Sequence, residues 1–89
     1  MENTISVFIG AVTEEKIKTS DIIKSIIQVP GVKSAWELTG SFDLLILASS
    51  QSVHSLNVVV EAVRACAGVR ETTTYLVLDS HGDAKPKTG

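Results

Sequence analysis

Two short segments of the chain carry large aliphatic residues at both alternating positions. Residues 4–12 read TISVFIGAV and residues 42–49 read FDLLILAS, and neither shows the polar alternation of a strand with one face in water. A strand with this pattern lies in the middle of a sheet and is covered on both faces. The fold must therefore place two strands centrally and cover both sides of the sheet.

Two other segments have helical periodicity. The first carries a stripe of isoleucines at i, i+4 spacing within residues 22–27, and we predict Ser20 as its N-cap and an end near Val29. The second repeats apolar residues at spacings of three and four over residues 53–67, with a serine cap at its start and Gly68 at its end. Each helix follows one of the two apolar strands.

The remaining segments are strands of mixed polarity. VKSAWELT and FDLLILAS flank Gly40-Ser41, which is typical of a type II′ hairpin turn and pairs Trp36 with Leu45. Residues 69–79 alternate between polar and apolar as a fourth strand, and residues 80–89 form a polar tail.

The resulting order, β-α-β-β-α-β, is that of a duplicated split β-α-β unit. VPGVKSAWELT after the first helix echoes CAGVRETTTYL after the second. With right-handed crossovers, this order predicts a single α+β domain over residues 1–79, a ferredoxin-like sandwich whose four-stranded antiparallel sheet carries both helices on one face. Because the helices cover only one face, we predict a dimer that packs sheet against sheet.

Composition excludes several classes of function. The formal net charge is −2, whereas domains that bind nucleic acid carry a basic face, so we expect no direct nucleic-acid binding. The single cysteine, Cys66, lies in an apolar helical run and fits a reducing cytoplasm. No run of about 18 apolar residues and no signal-peptide pattern occurs, so we expect neither membrane insertion nor export. Phosphate-loop and metal-ligand motifs are also missing, so we expect no cofactor and no metal.

A catalytic alternative stays open at this point. His54 and Asn57 on a helix, with Trp36 on a strand, could form an acid–base cluster, because dimeric ferredoxin-like barrels also host enzymes of monooxygenase type. A histidine in the first turn of a helix is usually just solvated, so we predict that the chain is not an enzyme.

Asp43 follows the hairpin turn and heads a run of aliphatic residues. In the predicted register it shares a face with Leu38, Trp36 and Leu45, so its carboxylate borders an apolar patch. It either accepts hydrogen bonds from turn amides or pairs with a base of a neighbouring chain, or it fixes the ammonium of a small ligand. In the last case the amides beside Gly40 meet the ligand's carboxylate.

Several short motifs follow one another in this frame: Pro30-Gly31-Val32 at the helix end, Thr39-Gly40 with Asp43 three residues after the glycine, and Val69-Arg70 with Thr72-x-Thr74 before Leu76-Val77-Leu78. In their order and spacing they resemble the effector-binding domain of the Lrp/AsnC family of feast/famine transcription regulators. The resemblance covers residues 4–79.

This resemblance implies a dimer formed by sheet packing, assembly into tetramers or octamers, and an amino-acid effector bound between dimers. Carried over by position, it implies that the effector is surrounded by the hairpin turn and the start of the last strand, namely Thr39, Gly40, Ser41, Asp43, Thr72 and Thr74.

One feature departs from the family pattern. Full-length members carry an N-terminal helix-turn-helix domain, whereas here the first strand begins within a few residues of Met1. The sequence therefore predicts a stand-alone effector domain, located in the cytoplasm. We expect such a domain to modulate transcription of amino-acid metabolism by co-assembly with full-length Lrp/AsnC regulators, or to sense a metabolite for another partner.

Overall fold

A computed structural model describes residues 4–82 of the chain. Its elements are β1 (Ile5–Thr13), α1 (Thr19–Ile27), β2 (Val32–Glu37), β3 (Leu44–Ser50), α2 (Val53–Arg64) and β4 (Val69–Leu76). The predicted element order and the ferredoxin-like α+β class are confirmed. Of the predicted polar tail, residues 80–82 belong to no helix or strand, and residues 83–89 lie outside the described residues.

The sheet is antiparallel throughout and has the strand order β2-β3-β1-β4. β1 and β3 are therefore the central strands, as their two-sided aliphatic pattern predicts. Ile9 pairs with Ile46 in the middle of the sheet, and the predicted pair of Trp36 with Leu45 is confirmed.

Both helices seal one face of the sheet. Alternate residues of β1 and β3 point to that face and meet the apolar stripes of the helices. The buried residues are Val7, Ile9, Ala11, Ile22, Ile26, Leu44, Ile46, Ala48, Leu56, Val59 and Val63. Burial of each large aliphatic side chain contributes about 1.5–3 kcal/mol, so this face supplies most of the stability of the chain.

The buried core repeats along the chain with a spacing of 37 residues. Each buried hydrophobic side chain of the first half has a buried counterpart in the second, in the pairs Val7 and Leu44, Ile9 and Ile46, Ala11 and Ala48, Ile22 and Val59, and Ile26 and Val63. The echo seen in the sequence is therefore a repeat of the whole β-α-β unit. The two halves are β1-α1-β2 and β3-α2-β4.

The turns after the two helices obey the same repeat. Gly31 has φ of 100° and Gly68 has φ of 95°, a backbone conformation that glycine adopts without the steric cost of a Cβ. A Cβ on Gly31 would lie 2.5 Å from Val59 Cγ2, and one on Gly68 would lie 2.6 Å from Ile22 Cδ1. Each glycine therefore lets the turn after one helix pack closely against the other helix.

The helix starts differ from each other. Ser52 caps α2 as predicted, because its Oγ accepts a hydrogen bond from the Ser55 amide at 3.1 Å. The predicted cap of α1 at Ser20 is wrong. That helix begins at Thr19 with Lys18 in the cap position and no side-chain capping bond, so Ser20 lies inside the first turn.

The second face of the sheet carries aromatic and aliphatic side chains at its centre, and no element of residues 4–82 lies over it. Its residues are those that alternate with the buried set and pair with one another across the strands. Trp36 is 45% exposed and Tyr75 is 49% exposed there, while Phe8, Leu45 and Leu47 are half-buried. We call this surface the open sheet face.

Phe42 covers one part of the open sheet face. Its ring lies over Gly10, where a Cβ would come within 2.7 Å of the ring, and it meets Tyr75 edge-on at a centroid distance of 6.3 Å. The missing side chain of Gly10 is therefore replaced by an aromatic ring from the loop before β3.

Candidate functional site

The connection between β2 and β3 is an open loop of residues 38–43, wider than the predicted two-residue turn. Strand pairing ends at Glu37 and Leu44, and the amide of Leu38 donates to the Asp43 carbonyl at 2.9 Å. Phe42 turns over the sheet instead of pairing in the hairpin, which lengthens the connection. Thr39, Gly40 and Ser41 form its tip. All three are exposed, and no atom of the described residues approaches within 4 Å of a Cβ built on Gly40.

Asp43 connects this loop to the end of β1. Its amide donates to the Ala11 carbonyl at 2.9 Å, and its carboxylate oxygen Oδ2 accepts from the Thr13 amide at 2.8 Å and from the Thr13 hydroxyl at 3.3 Å. Both side-chain bonds use the same oxygen, and the residue is exposed. Asp43 therefore has a structural role across the sheet, and the amide that it satisfies belongs to a strand and not to the turn.

Thr72 and Thr74 lie on the edge strand β4, on the face of the sheet that the helices cover. Their partners on β1 are Ala11 and Ile9, which face the helices, so the two threonines share that face. Thr72 is half-buried and Thr74 is exposed. Asp43 reaches β1 through Ala11 and Thr13, and Ala11 also pairs with Thr72, whereas Thr39, Gly40 and Ser41 lie at the exposed tip of the loop. Among the six predicted effector contacts, only Thr72 lines one of the two cavities described below.

A surface cavity of 610 Å³ opens between the end of α2 and the start of β4. It is lined by Glu61, Arg64, Ala65, Val69, Arg70, Glu71 and Thr72, and we call it the α2–β4 cavity. Its volume is in the range of small-molecule sites. Sequence reasoning found only Thr72 of this set, because the periodicity of α2 marks Glu61 and Arg64 merely as solvated.

Two ion pairs hold the charged residues of this cavity. Arg64 Nη1 donates to Glu61 Oε2 at 3.1 Å, and Arg70 Nη2 lies 3.9 Å from Glu71 Oε2. All four side chains are more than half exposed, so these pairs contribute little to stability.

A second cavity, of 370 Å³, lies between the turn after α1 and the start of α2. It is lined by Pro30, Gly31, Ser49, Ser50, His54, Ser55, Val58 and Val59. His54 is exposed at its rim, while Trp36 lies on the open sheet face, on the opposite side of the sheet from α2. The structure does not assemble the catalytic cluster of His54, Asn57 and Trp36.

The remaining candidates for a reactive site are the Cys66 thiol and clusters of possible metal ligands. Burial raises the pKa of the Cys66 thiol, whose Sγ donates to the Ala62 carbonyl at 3.5 Å, as expected of a packed cysteine. Within residues 4–82, no three His, Cys, Asp or Glu side chains come together to hold a metal ion. None of the helices in that range is long and apolar enough to cross a membrane.

A family model described as the Lrp/AsnC ligand binding domain matches residues 6–86. The chain belongs to this family. The resemblance seen in the quoted motifs is therefore confirmed, and it extends over nearly the whole chain.

Curated relatives of this Lrp/AsnC domain include proteins of two kinds. The HTH-type transcriptional regulator LysM of Sulfurisphaera tokodaii is 32% identical over 78 residues, which cover 88% of this chain and 56% of the regulator. Homocitrate synthase of the same organism is 32% identical over 74 residues, which cover 83% of this chain and 16% of the enzyme. The chain thus spans about half the length of the regulators that it matches.

Solved structures confirm the fold of the Lrp/AsnC domain. TTHA0845 of Thermus thermophilus superimposes with a TM-score of 0.77 at 24% identity, over 89% of this chain and 99% of that one. The transcriptional regulator NMB0573 of Neisseria meningitidis, solved in complex with L-methionine, superimposes with a TM-score of 0.76 at 24% identity, over 92% of this chain and 56% of that one.

Proposed function

We propose that this Lrp/AsnC domain senses an amino acid and acts through the assembly of subunits, without catalysis. The observation that carries the proposal is the occurrence of the same domain in two kinds of relative, a DNA-binding regulator and homocitrate synthase. A module that is joined to such different proteins has ligand binding as its common task. The methionine complex of NMB0573 supports an amino acid as the ligand class.

We place the effector between subunits. The proposed contacts Thr39, Gly40, Ser41 and Asp43 lie in the open loop, and Thr72 and Thr74 lie on β4 at the helix-covered face. Because the exposed tip of the loop lines neither of the two cavities described above, the loop of one subunit would meet β4 of a neighbour. The Asp43 carboxylate would bind the effector's ammonium, and Gly40 would let the loop backbone come close to the ligand.

We propose that the open sheet face forms the dimer interface. It carries aromatic and aliphatic side chains that are half-buried or exposed in the single chain, and a second copy of the same face would cover them about a two-fold axis. Tetramers or octamers of such dimers would then bring loops and β4 strands together, and full-length Lrp/AsnC regulators could join the assembly. We place this assembly in the cytoplasm.

An effector screen tests the proposed function directly. Thermal unfolding is followed with each of the twenty amino acids, and a ligand present at 100 times its dissociation constant stabilises the native state by about 2.7 kcal/mol. We expect one or a few amino acids to raise the melting temperature in a concentration-dependent way. If none does, the sensing role is wrong.

Light scattering tests the interface. The mass of the wild-type protein should exceed the monomer mass of 9.5 kDa at micromolar concentration, and Leu47→Ser on the open sheet face should lower it. Val58→Ser, at a side chain that is 59% exposed on α2, is the matched control and should leave the mass unchanged. A wild-type monomer would refute the interface.

A further inference from the structure

We propose that the α2–β4 cavity binds the carboxylate of the amino-acid effector through Arg64 and Arg70, with the Thr72 hydroxyl as a further donor. This inference rests on the proposed function and deepens it, because it identifies binding residues on α2 and β4 that neither the motifs nor the comparisons assign. The effector would lie between this cavity and the loop of residues 38–43 of a neighbouring subunit.

The internal repeat shows that the fold does not require Arg64, Glu71 or Thr72. At the spacing of 37 residues these positions correspond to Ile27, Ser34 and Ala35 in the first half, which builds the same junction of a helix end with an edge strand. The other two charged positions of the cavity, Glu61 and Arg70, correspond to Lys24 and Lys33. The first half therefore carries only cations at this junction, and the combination of two arginines with two glutamates is particular to the second half.

The two ion pairs do not explain the charges either. Exposed pairs of this kind contribute at most about 1 kcal/mol to stability. Arginine carries five N–H donors, and Glu61 takes only one donor of Arg64. The glutamates therefore leave donors on both arginines for a second carboxylate, while they restrict the positions that the guanidinium groups adopt.

The charge balance of the cavity selects the kind of ligand. Arg64 and Arg70 are offset by Glu61 and Glu71, so the cavity has no net formal charge. A net positive pocket would suit a polyphosphate, whereas balanced charges suit a zwitterion that presents one carboxylate. Ala65 and Val69 add a smaller apolar surface beside the charged groups, so the lining is mainly polar, as a zwitterionic ligand requires.

The test begins with calorimetry of the wild-type protein against each of the twenty amino acids. The variants Arg64→Ile and Thr72→Ala carry the residue that the first half has at the same place, so both are compatible with the fold. Arg64→Ile should weaken binding about 10- to 100-fold, the range for losing a hydrogen bond between charged groups. Thr72→Ala should weaken it about 2- to 10-fold, since one neutral hydrogen bond is lost.

A matched control distinguishes the loss of a cation inside the cavity from a general loss of positive charge on the protein. Arg70→Ala removes one cation from β4 and should weaken binding about 10-fold or more. Lys33→Ala removes one cation from the corresponding position of β2 and should change the affinity by less than about twofold. Circular dichroism of each variant confirms that it is folded.

The amide of the amino acid that binds lacks the carboxylate charge. Its affinity shows whether Arg64 contacts the carboxylate of the effector. The wild-type protein should bind the amide more weakly than the acid, whereas Arg64→Ile, which keeps Arg70, should favour the acid by a smaller factor than the wild type does. If Arg64→Ile binds the acid as well as the wild type does, or favours the acid over the amide by the wild-type factor, the cavity is not the carboxylate site. Sensing would then stand without it. If no amino acid binds the wild-type protein, the proposed function fails and this inference fails with it.

Discussion

The first half of the chain and the second half build one core from corresponding side chains but differ at its rim. Ile9 and Ile46 are both fully buried and pair with each other at the centre of the sheet. At the junction of helix and edge strand, by contrast, the first half has Ile27 where the second has Arg64. Residues that match between the halves report what the fold requires. Residues that differ are free of that requirement and are the better candidates for function.

The largest effect is expected where the halves match most closely. Ile9→Ala and Ile46→Ala should each lower the free energy of unfolding by about 3–5 kcal/mol, because each leaves a cavity in a fully buried layer. Urea unfolding at a fixed protein concentration measures both losses. A loss below about 1 kcal/mol at one of the two sites would show that the halves do not share the core equally.

Substitution by alanine of the glycine in each of the two turns after the helices should lower the free energy of unfolding by a similar amount. Gly31→Ala and Gly68→Ala each place a Cβ in the left-handed backbone region and within 2.6 Å of the opposite helix. Strain and overpacking together should cost about 2–4 kcal/mol in urea unfolding.

A double-mutant cycle separates these two turns. Val59→Ala removes the side-chain atoms that a Cβ on Gly31 would strike, so it should recover part of the loss in Gly31→Ala and none of the loss in Gly68→Ala. Equal coupling of Val59→Ala to both glycines would mean that the turns do not contact the helices in the way described.

Asp43 is another position at which the two halves differ, because its counterpart in the first half is Ser6. Substitution of Asp43 therefore tests whether such a difference serves effector binding. Asp43→Asn keeps an acceptor oxygen for the Thr13 amide but removes the charge. Effector binding, measured by calorimetry, should weaken by about 1.5–3 kcal/mol, whereas the free energy of unfolding should fall by less than about 1 kcal/mol.

Ser6→Ala is the control for that experiment and should leave effector binding unchanged. Unaltered affinity in Asp43→Asn, together with a large drop in melting temperature, would make the aspartate purely structural.

The smallest effect concerns the two helix starts. Ser52→Ala removes the only side-chain bond that caps α2 among the described residues and should cost about 1 kcal/mol in thermal or urea unfolding. Ser20→Ala in the first turn of α1 should change stability by less than about 0.5 kcal/mol, because its side chain caps nothing. Equal costs at both serines would contradict the cap assignment.

Much of the fold could be predicted because its signals are local in the sequence. The spacing of isoleucines within residues 22–27 and the two-sided aliphatic pattern of β1 and β3 each report their own element. The pairing of Trp36 with Leu45 followed from the central position of Gly40-Ser41 in the hairpin, which holds although the turn is wider than predicted. The cap at Ser20 and the two-residue turn were wrong because both depend on backbone geometry that several neighbouring sequences satisfy equally well.

The candidate site was less accessible to sequence reasoning because its parts are distant along the chain. The hydrogen bonds of Asp43 join it to Thr13 across the sheet, and no local pattern reveals that partner. The α2–β4 cavity, by contrast, is lined by residues of one stretch, 61–72, but polar residues at helical spacing there are equally typical of a solvated helix face. A comparison of the two halves at a spacing of 37 residues is the signal that could have found it.

The sequence by itself determined the element order, the central position of β1 and β3 and the Lrp/AsnC family, since periodicity and short motifs carry that information within each segment. The tertiary structure alone decided that Thr72 and Thr74 face the helices, that Thr39, Gly40 and Ser41 lie elsewhere in an open loop, and that four charged residues surround one cavity. The reason is physical. Alternation along a strand says which residues share a face, but only the pairing of that strand with its neighbours says which face the helices cover.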